Sequence, residues 1–247
     1  MNKTAIIIPT RLKASRLPNK PLELINNKEM ILHVYEAAKK TNSGEVYVAT
    51  PDKKIIELIS NNGGKAILTS SEHQTGTDRI YEVFKDHLNS EPNTIVNLQG
   101  DMPNIDPRSI TELISYMDKK NCDIGTLASS FASKTELVDE NNVKVAVKNE
   151  LSNNQYDQAI DFFRIDTKKH KNFYHHVGIY AFTSEALVRY VGLKRSRLEI
   201  ERKLEQMRAL ENSMTIHVGY INSSPLSVDT KLDLMEVRKI MKKDEQN

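Results

Sequence analysis

Residues 9–22 read Pro-Thr-Arg-Leu-Lys-Ala-Ser-Arg-Leu-Pro-Asn-Lys-Pro-Leu and place Arg11, Arg16 and Lys20 five and four residues apart on one short segment. Pro18 and Pro21 argue against a regular helix there, so the cations converge from a folded loop and suit a polyphosphate. A solvated basic loop has the same composition. A second centre of chemistry is Gln99-Gly100-Asp101. Glycine lets the backbone approach a ligand closely, and Asp101 offers a hard oxygen. Magnesium takes one or two carboxylates plus phosphate oxygens, so Asp101 needs one protein partner. Asp229, in Ser-Val-Asp-Thr, is the candidate, although its local sequence also fits the N-cap of a final helix.

Residues 71–79, Ser-Glu-His-Gln-Thr-Gly-Thr-Asp-Arg, form a polar segment entering a helix. Hydroxyls, amides and a helix N-terminus of this kind can read a nucleobase and a ribose. Thr77 is equally a helix cap, and His73 a surface histidine. The chain carries neither Gly-x-x-x-x-Gly-Lys-Ser/Thr nor Gly-x-Gly-x-x-Gly, which argues against a P-loop NTPase and a dinucleotide enzyme.

These groups need a scaffold. Residues 4–8 are a continuous apolar run, a strand buried on both faces and ended by Pro9. Met30, Ile31, Val34, Ala37 and Ala38 recur at helical spacing, and 46–49 reads as a strand. A helix over 52–60 ends at Gly63-Gly64, followed by a strand over 65–68, a helix over 78–88 and a strand over 94–98. This alternation predicts a Rossmann-like, doubly wound, mostly parallel α/β sheet, whose ligands sit at the carboxyl ends of its strands. From about residue 121 strands dominate, over 122–129, 143–147, 159–163 and 176–182, as in a smaller α+β lobe. Helices over 184–191 and 198–210, a strand over 215–220 and a helix beginning after Asp229-Thr230 complete the chain.

The length of 247 residues allows one large domain or two small ones. With 35 basic and 33 acidic residues, the net charge of +2 gives no general reason to bind nucleic acid or membrane. The single cysteine, Cys122, reads as a buried side chain and cannot form an intramolecular disulfide. The expected location is the cytoplasm.

Taken in order, the cationic loop, His73-Gln74-Thr75-Gly76-Thr77-Asp78-Arg79, residues 96–103 (Val-Asn-Leu-Gln-Gly-Asp-Met-Pro), residues 142–145, residues 176–180, residues 204–208 and Val228-Asp229-Thr230 resemble one family nearly end to end: the 3-deoxy-manno-octulosonate (KDO) cytidylyltransferases, or CMP-KDO synthetases. The resemblance implies a nucleotide-diphospho-sugar transferase fold in one cytidylyltransferase domain over 1–247. Its sub-regions are a nucleotide-binding core over 1–130, a sugar-binding and dimerisation lobe over 131–213, and a return to the core over 214–247. It implies the substrates CTP and KDO, magnesium as cofactor, a homodimer and a role in lipopolysaccharide biosynthesis.

Carried across, Arg11, Arg16 and Lys20 contact the triphosphate, Gln74, Thr75, Gly76, Arg79 and Gln99 hold the nucleotide, and Asp101 and Asp229 hold the metal. Arg11, Lys20, Asp101 and Asp229 form the catalytic set. Gln99, Arg164, His176, Tyr180, Glu205 and Gln206 receive the sugar acid, with Arg164 as the carboxylate clamp. Glu205 equally suits a solvated helix face, and Tyr180 packing in a strand. The chain departs from the family pattern at Met102, where an acidic residue is usual, at Asp161-Phe162-Phe163-Arg164 in place of Tyr-Phe-Ser-Arg, and at Arg202 in place of an acidic residue. The segment Asp161 to Phe163 leaves open a modified sugar, such as an 8-amino octulosonate, and Met102 with Phe163 leaves open a regulatory relative without turnover.

Overall fold

The computed structural model describes residues 3–14, 16–119, 122–153, 155–166 and 169–244. The chain divides into two compact units, one of residues 1–112 with 225–247, the other of residues 113–224.

The first unit begins with β1 (Thr4–Pro9), all six residues buried, as its continuous apolar run requires. A loop and a 3-10 turn at Lys20–Leu22 lead into a short hairpin of β2 (Leu24–Ile25) and β3 (Lys28–Glu29). The sequence reading did not foresee this hairpin; Asn26 and Asn27 form its tip with φ of 48° and 60°. Helix α1 (Met30–Lys40) buries Met30, Ile31, Val34, Ala37 and Ala38, as their spacing predicts. Strand β4 (Glu45–Thr50) follows, then α2 (Lys53–Asn61) and β5 (Lys65–Leu68). Gly63, at φ 69°, ends α2 in the left-handed region that glycine enters freely. Helix α3 (Gly76–Glu82) runs into a π-helical stretch, Val83–His87, where the sequence suggests one continuous helix. Strand β6 (Thr94–Asn97) is wholly buried.

The order in this unit is β5-β4-β1-β6, with every pairing parallel. The chain leaves β1 towards β4 and β5, then returns to the other side of β1 as β6. The carboxyl ends of β1 and β6 thus flank a switch point, where an open α/β sheet binds ligands. Helix α4 (Pro107–Met117), which the sequence reading did not mark, starts with Pro at its first position behind Asp106.

The second unit contains β7 (Ile124–Ser129), α5 (Lys134–Val138), β8 (Lys144–Val147), β9 (Tyr156–Phe163) and β10 (Phe173–Thr183). Helices α6 (Ser184–Gly192), α7 (Arg197–Arg202) and α8 (Met207–Glu211) precede β11 (Ile216–Tyr220). The strand order β10-β7-β11-β9-β8 closes through a β10–β8 pairing, so these five strands form a ring. The mostly parallel arrangement expected of the chain is confined to the first unit; in this strand-rich region β10–β7, β10–β8, β11–β9 and β8–β9 are antiparallel, and β11–β7 alone among these pairings is parallel. The architecture is mixed α/β, because short connections such as that from β8 to β9 cannot accommodate a parallel crossover. The expected helix over 198–210 is two helices, divided at Lys203 with φ 56°. The chain then re-enters the first unit and ends in α9 (Lys231–Asp244).

Candidate active site

The loop after β1 is fixed from both sides. Asp52 accepts from Leu12 N (2.8 Å), and Asn19 N donates to Leu12 O (3.0 Å). Leu17 is buried in an apolar cluster with Ile25, Met30, Val228, Leu234 and Val237. Burying that one side chain turns its polar neighbours outward. Arg11, Lys13, Arg16 and Lys20 all line a cleft of about 700 Å³ in the first unit. Lys13 is a fourth cation that the sequence reading passed over, although it lies within the same segment.

The two carboxylates meet in this cleft. Val228 N donates to Asp101 O (2.9 Å), which ties the entry to α9 onto the loop after β6. A side chain on Gly100 would come within 3.2–3.3 Å of Ile31, Pro9 O and Thr10, so its glycine allows that loop to settle against the end of β1. Asp229 does not cap α9. Asp233 Oδ2 accepts from the backbone N–H groups of Asp229 (2.9 Å) and Thr230 (2.7 Å), and Thr230 Oγ1 accepts from Asp233 N (3.3 Å). The carboxylate of Asp229 is thereby left to the cleft, where Arg16 Nη2 (2.8 Å) and Lys20 Nζ (3.0 Å) donate to it. Lys20 Nζ also donates to Asp101 Oδ2 (2.8 Å). Burial alone would lower the Lys20 pKa, but the two carboxylates outweigh it and hold the ammonium above its ordinary range.

Gln74, Thr75, Gly76, Arg79 and Gln99 line the same cleft. Thr75, rather than Thr77, caps α3: its Oγ1 accepts from Asp78 N (3.1 Å) and donates to Asp78 Oδ2 (2.8 Å). Thr77 is buried and accepts from Asn97 Nδ2. Arg79 is 3% exposed and donates to Thr69 Oγ1 and to Ser70 O (3.0 Å), which gives it a part in shaping the 69–75 loop. His73 pairs with Glu82, which also accepts from Ser70 N, so His73 is a brace of that loop. Gln99 Nε2 donates to Asn97 Oδ1 (3.3 Å). Met102 is buried rather than facing the cleft.

The sugar-side candidates lie in the second unit, apart from Gln99. His176 is buried, with Nε2 3.0 Å from Thr126 Oγ1. Because Thr126 Oγ1 donates to Ile179 O (2.7 Å), His176 Nε2–H is the donor of their bond. Burial, with the adjacent His175, pushes the His176 pKa down to about 3, so it is a neutral hydrogen-bonding group and carries no charge for a carboxylate. A bulge between Val177 and Tyr180 brings the His176 and Tyr180 rings to 5.4 Å. Burial, then Tyr190 and Glu205, raises the Tyr180 hydroxyl well above its ordinary pKa. His176, Tyr180 and Glu205 thus share one neighbourhood. Glu205 and the buried Gln206 occupy the elbow between α7 and α8, where Tyr190 Oη donates to Glu205 O (2.8 Å). Arg164, just past β9, is engaged by Glu140 O (2.9 Å) and Asn141 O (3.1 Å).

A wall of cations beside two convergent carboxylates can hold a polyphosphate together with a hard cation. Among the described residues no group of three or more His, Cys, Asp and Glu is placed to hold a metal ion, and no helix is long and apolar enough to cross a membrane.

The fold is a mixed α/β, nucleotidyltransferase-like one. It is shared with 4-diphosphocytidyl-2C-methyl-D-erythritol synthase from Anaerococcus prevotii, at TM-score 0.65 and 10% identity, covering 98% of this chain and 99% of that one. The structure of CMP:2-keto-3-deoxy-manno-octonic acid synthetase complexed with CTP is similar at TM-score 0.87 and 36% identity, covering 98% and 99% of the two chains. The cytidylyltransferase family model matches residues 5–216. The 3-deoxy-manno-octulosonate cytidylyltransferase of Bartonella quintana is 43% identical over 97% of this chain and 98% of its own length, and that of Brucella canis is 40% identical over 96% and 94%. The chain belongs to the cytidylyltransferase family, and within it to the 3-deoxy-manno-octulosonate cytidylyltransferases.

Proposed function

We propose that this chain transfers the cytidylyl group of CTP to KDO, giving CMP-KDO and pyrophosphate for lipopolysaccharide biosynthesis. The observation that carries this reading is the cleft in which Arg11, Arg16 and Lys20 stand beside Asp101 and Asp229 in a chain of this family. The anomeric hydroxyl of the sugar acid attacks the α-phosphorus of CTP in line. A new P–O bond forms, the bond between the α-phosphorus and the bridging oxygen breaks so that pyrophosphate leaves with that oxygen, and the hydroxyl proton passes to solvent water. Such transfers are catalysed chiefly by positioning and by neutralising charge, so no covalent intermediate on the protein is required.

Arg11, Arg16 and Lys20 bind the triphosphate and stabilise the leaving diphosphate, with Lys13 as an added cation. Gln74, Thr75, Gly76, Arg79 and Gln99 hold the nucleoside end. Asp101 and Asp229 are suited to a divalent cation because both already converge on one positive charge, the Lys20 ammonium. Magnesium bound there would neutralise phosphate charge and acidify a coordinated hydroxyl. The sugar acid is received by Gln99, Arg164, His176, Tyr180, Glu205 and Gln206. We further infer one doubly wound cytidylyltransferase domain over 1–247 that works as a homodimer in the cytoplasm, where CTP is made.

The test is pyrophosphate release by the purified chain over a matrix of nucleotides and ulosonic acids, with and without magnesium. Release that requires CTP, KDO and magnesium together supports the reading; release indifferent to the sugar acid overturns it. Preference for an 8-amino octulosonate over KDO at equal concentration would favour the modified-sugar alternative raised by the segment Asp161 to Phe163.

A further inference from the structure

Asp161, near the end of β9, and Arg202, the last residue of α7, are bonded to each other. Arg202 Nη1 donates to Asp161 Oδ1 (2.5 Å) and to Phe162 O (2.6 Å). The Asp161 side chain is 5% exposed, and its second oxygen lies 3.5 Å from His170 Nε2. His170 in turn is held by Asp166 (Nδ1 to Oδ1, 2.8 Å) and stacks on Phe163 at 4.8 Å. An acidic residue at 202 would face the buried Asp161 carboxylate across the same gap, where like charges repel.

The pair's place in the fold gives it a task. On one side it grips β9, whose next residue, Phe162, lies edge-on to His176 at 5.1 Å and whose strand leads directly to Arg164. On the other side it grips the last residue of α7. There the chain turns through Lys203 at φ 56°, Leu204 N closes onto Glu199 O (3.2 Å), and Glu205 and Gln206 follow. The far side of that elbow is fixed by the buried Arg208–Glu199 pair and by Tyr190. A single ion pair thus couples the strand bearing Arg164 to the elbow bearing Glu205 and Gln206.

We propose that Asp161 and Arg202 are a positioning pair that sets the geometry of the sugar-acid site. The proposal rests on the functional reading above. Its test uses Arg202→Met, Asp161→Asn, the double variant and Arg202→Lys, each checked for cooperative thermal unfolding. Arg202→Met is expected to raise the KM for KDO about tenfold while the KM for CTP changes by less than about twofold. Arg202→Lys recovers most of that loss, and the double variant is no worse than Arg202→Met alone, as coupled residues require. Hydrogen exchange over residues 204–208 in the free protein is faster in Arg202→Met, a readout independent of turnover. Equal rises in both KM values, single effects that multiply, or unchanged exchange would each overturn the proposal. If the wild-type chain released no pyrophosphate, the functional reading would fall, and the exchange data would still decide whether the pair holds the elbow.

Discussion

Val228 donates its backbone N–H to the backbone carbonyl of Asp101, and this bond of 2.9 Å brings the carboxylate that follows Val228 beside that of Asp101. The convergence of Asp101 and Asp229 is thus built in the main chain and does not depend on either acidic side chain.

Asp101→Ala should accordingly keep its fold and lose its chemistry. Cooperative unfolding with a small change in Tm, together with a fall in kcat of at least about a hundredfold, is the expected outcome in a pyrophosphate-release assay. Near-normal turnover would remove Asp101 from the catalytic set.

The Lys20 contacts have a defined pH dependence. The folded-state pKa lies above the ordinary 10.5, so the pairing with Asp101 and Asp229 stabilises the fold fully below that value. The contribution declines from 10.5 and is lost as pH rises through the folded pKa. Chemical denaturation of wild type and Lys20→Met should show a constant difference over about pH 6–9 that shrinks at higher pH. A difference that grew with alkalinity would contradict this arrangement.

Leu17 links packing to ligand binding. It is 3% exposed in the cluster with Val228, Leu234 and Val237. Leu17→Ala should cost about 3 kcal/mol of stability. It should also raise the KM for CTP, because Arg16 and Lys20 are aimed by its burial. Calorimetry and initial rates measure the two effects separately; a stability loss with unchanged KM would disconnect them.

Lys203 adopts the left-handed conformation at the end of α7. Lys203→Gly should relieve that strain and stabilise the chain by about 1 kcal/mol, seen as a higher Tm. A lower Tm would show that the lysine side chain supplies more than its backbone costs.

The first unit was legible because its strands are short apolar runs separated by helical periodicity, and residues 4–8 and 94–97 are buried along their length as such runs demand. The break at Lys203 was not, since residues 198–210 contain neither Gly nor Pro. Tertiary pairing of Arg202 with Asp161 and the burial of Leu204 turn the chain there. The capping of α9 was misread for a related reason. Asp229 and Thr230 are both good N-caps, and only the position of Asp233 decides between them. Gathering the cations with the two carboxylates needed the fold, since Asp229 reaches the cleft through a backbone bond to a distant loop.

The cluster beneath Leu17 also governs how the cleft can open. Three of its six buried members, Val228, Leu234 and Val237, come from α9 and the residues just before it. Until that helix docks, the basic segment has no floor to rest on and Asp101 has no companion. Detachment of α9 therefore loosens the cationic segment and parts the two carboxylates together, so that the cleft opens and re-forms as one cooperative unit.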